Sequence, residues 1–101
     1  MSLDFYLIQD SQNASDKLLN MNHVGGVGDE LFFQLQQEGI IEPWFDYYSK
    51  FRWGSEIVAR MLVKLQQQLA TSAHLRKERK EFIRILQTAI EANSGLLAFG
   101  D

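Results

Sequence analysis

Apolar and polar positions alternate at the start of the chain, where Leu3, Phe5 and Leu7 are interleaved with Asp4, Tyr6 and Ile8. A period of two, rich in aromatic residues, predicts a strand with one strongly apolar face. Gln9 to Lys17 is polar and predicts a loop, and Leu18 to Asn22 predicts a short second strand. Gly25-Gly26-Val27-Gly28 predicts a flexible turn, because glycine tolerates positive φ. The period then changes. Val27, Leu31, Phe32 and Leu35 stand at i, i+4, i+5 and i+8, one face of a helix predicted over 27–38. Asp29 and Glu30 suit its first turn, where the helix dipole favours acids, and Gly39 suits its end.

Trp44, Tyr47, Tyr48 and Phe51 repeat the helical spacing at i, i+3, i+4 and i+7. Pro43 suits the first position of a helix and Gly54 a C-terminal cap, so a short second helix is expected here. Ser55 can cap a third, whose inner face is Val58, Met61, Leu62, Leu65 and Leu69. After a break at Ala70 to His74, the residues Leu75, Phe82, Leu86, Ala89 and Ile90 predict a fourth, closed by Asn93-Ser94-Gly95. Leu96 to Phe99 is short and apolar, which predicts a last strand beside the first. The expected fold is one α+β domain over 1–101, with three or four helices packed on a small sheet formed by the N- and C-terminal strands.

Composition narrows the classes. Hydrophobic content of 46% with 23% charged residues belongs to a folded globule, not a disordered chain. The absence of cysteine excludes disulfides and thiolate metal sites. No basic leader precedes Asp4, and no apolar run approaches the roughly 18 residues of a membrane span, so a cytoplasmic protein off the membrane is expected. Charge is divided unevenly: the first fifty residues carry −6 and the remainder +3, within a net charge of −3.

Candidate chemistry is sparse. Asp29 and Glu30 follow the glycine-rich stretch and would repel a phosphate, so no cofactor is expected there. His23 has the side chain suited to proton transfer near neutrality, and a small-ligand or enzymatic pocket around it, lined by Trp44 and Phe5, is one alternative reading. No nucleophile pairs with it by spacing, so the reading favours a non-enzyme. Two histidines with no cysteine give no metal-ligand pattern. Arg76, Lys77, Arg79, Lys80 and Arg84 offer a basic helix over 76–84 for nucleic acid, a second alternative. Glu78 and Glu81 interrupt that run, a Lys77–Glu81 pair fits i, i+4, and the sequence pI near 5.3 argues against it.

The segment from Trp44 to Trp53 holds six of the twelve aromatic residues. Most of that ring surface is expected in the core, but one short helix cannot hide rings on every side. Tyr, Trp and Arg are the residues that anchor interfaces. Trp44, Phe45, Asp46, Tyr47, Tyr48 and Trp53, together with His23, are therefore the candidate binding residues. The expected function is a protein-interaction module, immunity-like or regulatory. Its acidic N-terminal half and exposed rings would bind a basic partner or a second copy of the chain.

Ser2-Leu3-Asp4-Phe5-Tyr6-Leu7 resembles the opening of a group of small bacterial and phage proteins with no assigned activity. The layout is similar as well: Asn20-Met21-Asn22-His23 would match an Asn-x-x-His element of that group, Trp44 its aromatic segment, and Phe82 to Ala92 its last helix. The resemblance implies an α+β fold ending in a strand. Separately, Asp46-Tyr47-Tyr48 is similar to the acidic, paired-tyrosine surface of nuclease-colicin immunity proteins.

Overall fold

A computed structural model describes residues 3–11, 22–69 and 74–100. The chain runs β1 (Leu3–Ile8), β2 (Asn22–Val27), α1 (Asp29–Gln37), β3 (Lys50–Trp53), α2 (Ser55–Leu69), α3 (Arg76–Glu91) and β4 (Gly95–Phe99). The strands form one antiparallel sheet in the order β2-β1-β4-β3. The fold is thus α+β, with three helices and four strands among the described residues. The terminal strands do pair with each other, but they are the centre of a larger sheet rather than the whole of it.

The pleat sorts the side chains. Leu3 and Phe5 of β1, Phe51 and Trp53 of β3, and Leu96 and Ala98 of β4 point to one face, where α2 and α3 supply Val58, Met61, Leu65, Phe82, Ile85, Leu86 and Ala89. Leu31, Phe32 and Leu35 of α1 join the same core. Tyr6 and Leu97 lie across from each other on the opposite face.

Two expectations fail, each for a tertiary reason. The helix expected over the aromatic segment is instead a turn-rich loop followed by β3. Residues 50–53 alternate Lys, Phe, Arg, Trp, and the backbone of β4 was free to pair with them. Gly25 and Gly26, expected in a flexible turn, belong to β2. Gly25 has φ +147°, and a Cβ there would stand 2.9 Å from Ile85 Cδ1, so the glycine lets α3 close on the edge of the sheet. Of the strand expected over 18–22, residues 18–21 lie outside the described residues and Asn22 opens β2.

Helix α2 receives its N-terminal cap from a distant part of the chain. Asp10 accepts hydrogen bonds from the Ser55 amide (3.0 Å) and the Ser55 hydroxyl. These bonds hold the Asp10 carboxyl below its ordinary pKa. Arg52 Nη2 donates to the carbonyls of Gln9 (2.6 Å) and Asp10 (3.1 Å), tying the end of β1 to β3. Beside this junction, a Cβ at Gly95 would fall on the Trp53 carbonyl and lie 3.1 Å from the Gly54 backbone. Backbone cannot yield as a side-chain tip can. Gly95→Ala is expected to cost about 2–3 kcal/mol by overpacking, measured by urea denaturation.

Candidate interaction surface

Just past the end of α1, Gly39 with φ +79° turns the chain so that the Ile40 and Ile41 amides both donate to the Leu35 carbonyl. The following loop is held by named bonds. Gln36 Nε2 donates to the carbonyls of Glu42 (3.1 Å) and Phe45 (2.9 Å). Asp46 Oδ1 accepts from the Tyr48 amide (2.9 Å), an Asx turn, and the Asp46 carbonyl accepts from Ser49. The Tyr47 hydroxyl donates to the Val27 carbonyl (3.2 Å), and the Gly100 amide donates to the Ser49 carbonyl.

This loop divides the aromatic residues into two groups. Tyr47 is 3% exposed and Trp53 1%, both inside the core. Phe45 is half-buried against Phe51 and Trp53. Trp44, in contrast, is 73% exposed and Tyr48 54%. Tyr47 and Trp53, expected among the binding residues, therefore offer almost no surface to a partner. For Trp53 the physical reason is β3, which as a strand sends Phe51 and Trp53 inward and Lys50 and Arg52 outward; Tyr47, in the loop before it, is held inside by its bond to the Val27 carbonyl.

A third exposed ring, Phe33 at 42%, was absent from the expected set. It neighbours Phe32, which masks it in a simple hydrophobic count. About 100° per residue places Phe33 roughly 200° from Leu31, off the buried face, and that was the available signal. The three exposed rings connect inward through other rings: Phe33 and Tyr48 each touch Tyr47, with centroids 5.7 and 5.1 Å apart, and Trp44 lies 6.2 Å from Phe45. Acidic groups neighbour them along the chain. Asp29 and Glu30 are exposed one turn before Phe33 on α1, and exposed Asp46 and half-buried Glu42 share the loop with Trp44 and Tyr48.

The other candidates sit apart. His23, on the edge strand β2, is exposed; its Nε2 lies 3.2 Å from Asp4 Oδ1, and its ring meets Tyr6 edge-on at 5.1 Å. Phe5, expected to line a His23 pocket, is fully buried on the core side of the sheet. Of the basic run, Arg79 is buried and salt-bridged to Glu38, while Arg76, Lys77, Lys80 and Arg84 are exposed. Glu81 pairs with Arg84, not with Lys77 as its spacing allowed. This pairing lowers the Glu81 pKa and raises that of Arg84. Among the described residues, no group of three or more acidic or histidine side chains is placed to hold a metal ion, and no helix is long and apolar enough to cross a membrane. No family model, curated protein or solved structure matches the chain.

Proposed function

We propose that this chain is a protein-interaction module whose docking surface is the exposed aromatic group Phe33, Trp44 and Tyr48 with its acidic rim. The observation that supports it most is Trp44, an indole 73% exposed on a loop fixed by Gln36 and Asp46. Exposed indole on a rigid loop gains little for folding, since it remains in water. On binding it buries a large area with little ordering cost, because the loop is already in place. Asp29, Glu30 and Asp46 match a basic partner and would speed its approach.

Trp44→Ala and Tyr48→Ala should each leave folding stability within about 0.5 kcal/mol, as surface changes do. Each should weaken the complex by about 2 kcal/mol, roughly thirtyfold in Kd, if these rings anchor it. The test is capture from a lysate of the source cells by immobilised wild type and by the Trp44→Ala/Tyr48→Ala variant, with light-scattering mass to detect self-association. A specific partner, or a dimer, lost in the variant supports the reading. Identical capture and identical mass in both proteins would refute it.

A further inference from the structure

Beyond that reading, which it does not use, we propose that the solvent face of α3 is a sequence-independent binding stripe for the sugar-phosphate backbone of nucleic acid. Arg76, Lys80 and Arg84 stand at i, i+4 and i+8 with Lys77 beside them, and with Glu81 they line one shallow recess of about 520 Å³. Lys77 and Glu81 also line a second cleft of about 290 Å³, which reaches Gly26, Val27 and Gly28 at the β2–α1 corner. The shared side chains set the two recesses side by side in one track, cationic along Arg76, Lys80 and Arg84 and acidic where Glu78 and Glu81 meet the Gly26–Gly28 backbone.

The charges in the track do not cancel. Glu81 is engaged by Arg84 through both Nε and Nη2, and Arg84 Nη2 also donates to the Val24 carbonyl (3.2 Å), which holds that guanidinium at the sheet edge. Lys77 and Lys80 pair with no carboxylate among the described residues. Glu78, and Asp29 and Glu30 beyond Gly28, make the second cleft the acidic side, so a polyanion would lie along Arg76, Lys80 and Arg84 rather than enter that cleft.

Folding does not call for the two lysines at these positions. Cations at the start of a helix oppose its dipole, and in α3 Arg76, Lys77 and Lys80 surround the first-turn acid Glu78, whereas the first-turn acids of α1 and α2, Asp29, Glu30 and Glu56, stand with no cation in the same turn. Arg76 donates to the Leu69 carbonyl and Arg84 to the Val24 carbonyl, which gives these two a place in the fold. Lys77 and Lys80 oppose the dipole with no ion pair among the described residues to offset it, the kind of local cost that functional surfaces carry. The span also fits. Arg76 to Arg84 covers about 12 Å of helix axis at 1.5 Å per residue, a length over which one B-DNA strand carries three to four phosphates, at about 3.4 Å each. An acidic peptide fits less well, because it would want an apolar anchor and the only apolar side chain lining the track, Val27, is buried.

The test is fluorescence anisotropy of a labelled mixed-sequence oligonucleotide, single-stranded and duplex, against the intact chain between about 50 and 200 mM salt. The expected result is weak binding, with Kd of about 10⁻⁴–10⁻⁶ M. The logarithmic salt slope should be near −3, so that affinity falls about sixtyfold over that range. Lys77→Gln/Lys80→Gln should reduce the slope by about 2 and the low-salt affinity at least tenfold. Its helical circular dichroism and Tm should be unchanged or higher, since the removed charges opposed the dipole. Three results would each overturn the proposal: no binding at the lowest salt, binding that the double variant leaves intact, or equal affinity for a polyglutamate peptide.

Discussion

Trp53→Ala is expected to destabilise the protein by about 3–5 kcal/mol, the cost of removing a large buried aromatic side chain. The ring stacks on Phe5 at 5.4 Å, lies 5.1 Å from Phe51, meets Phe45 edge-on at 5.9 Å and reaches Phe82 at 6.2 Å. It therefore joins β1, β3, the loop before β3 and α3 at one point. Small domains have about 5–15 kcal/mol in all, so this loss should lower Tm by about 15 °C or more. Trp53→Phe should cost far less. The buried indole Nε1 has no hydrogen-bond partner among the described residues, so phenylalanine gives up volume but no bond. Fluorescence separates the two tryptophans directly. Trp44→Phe should leave a blue-shifted emission resistant to acrylamide, and Trp53→Phe a red-shifted, readily quenched one. The opposite assignment would place Trp44 in the core and remove the main support for a docking surface.

Elements with an uninterrupted period were legible from the chain alone. β1 and β4 read as strands, and α1, α2 and α3 as helices, because their apolar faces recur without a break. The aromatic segment misled because Trp44, Tyr47, Tyr48 and Phe51 satisfy a helical spacing while Phe51 and Trp53 satisfy a strand. Only the pairing of Lys50 to Trp53 with Phe99 to Leu96 decides between them, and that contact spans more than forty residues of sequence. Likewise, Gly25 reads locally as a turn, and its need to admit Ile85 is visible only once α3 is in place. The exposure of the candidate binding residues was less legible. Trp44 and Tyr48 emerge exposed and Phe33 joins them, while the strand draws Trp53 inward and the bond to Val27 fixes Tyr47. Composition announced an excess of rings; topology chose which of them face solvent.

Arg79→Ala should cost about 3 kcal/mol or more, and it should change how stability depends on pH. Arg79 is buried in α3, and its guanidinium donates through Nη1 and Nη2 to both Glu38 oxygens, at 2.8 and 2.7 Å, and through Nε to the His74 carbonyl at 2.7 Å. This fork joins the end of α1 to the start of α3, and removing one partner of such a pair leaves the other uncompensated. The Arg79 bonds chiefly, with a further bond from Gln34, hold the Glu38 carboxyl below its ordinary pKa. A carboxyl whose folded pKa is depressed binds fewer protons in the native state than in the unfolded chain. Its contribution is present above the unfolded pKa of about 4.3 and is lost as pH falls through the lower folded value. The stability gap between wild type and Glu38→Gln, from urea titrations, should be flat above about pH 5 and should shrink below about pH 4. A gap constant down to acid pH would mean that the pair is not ionised as drawn. Arg79→Met/Glu38→Leu should recover much of the loss of either single change, because apolar side chains can fill the same space without a stranded charge. Failure to recover would place the value of Arg79 in its bond to the His74 carbonyl, and hence in how the chain enters α3.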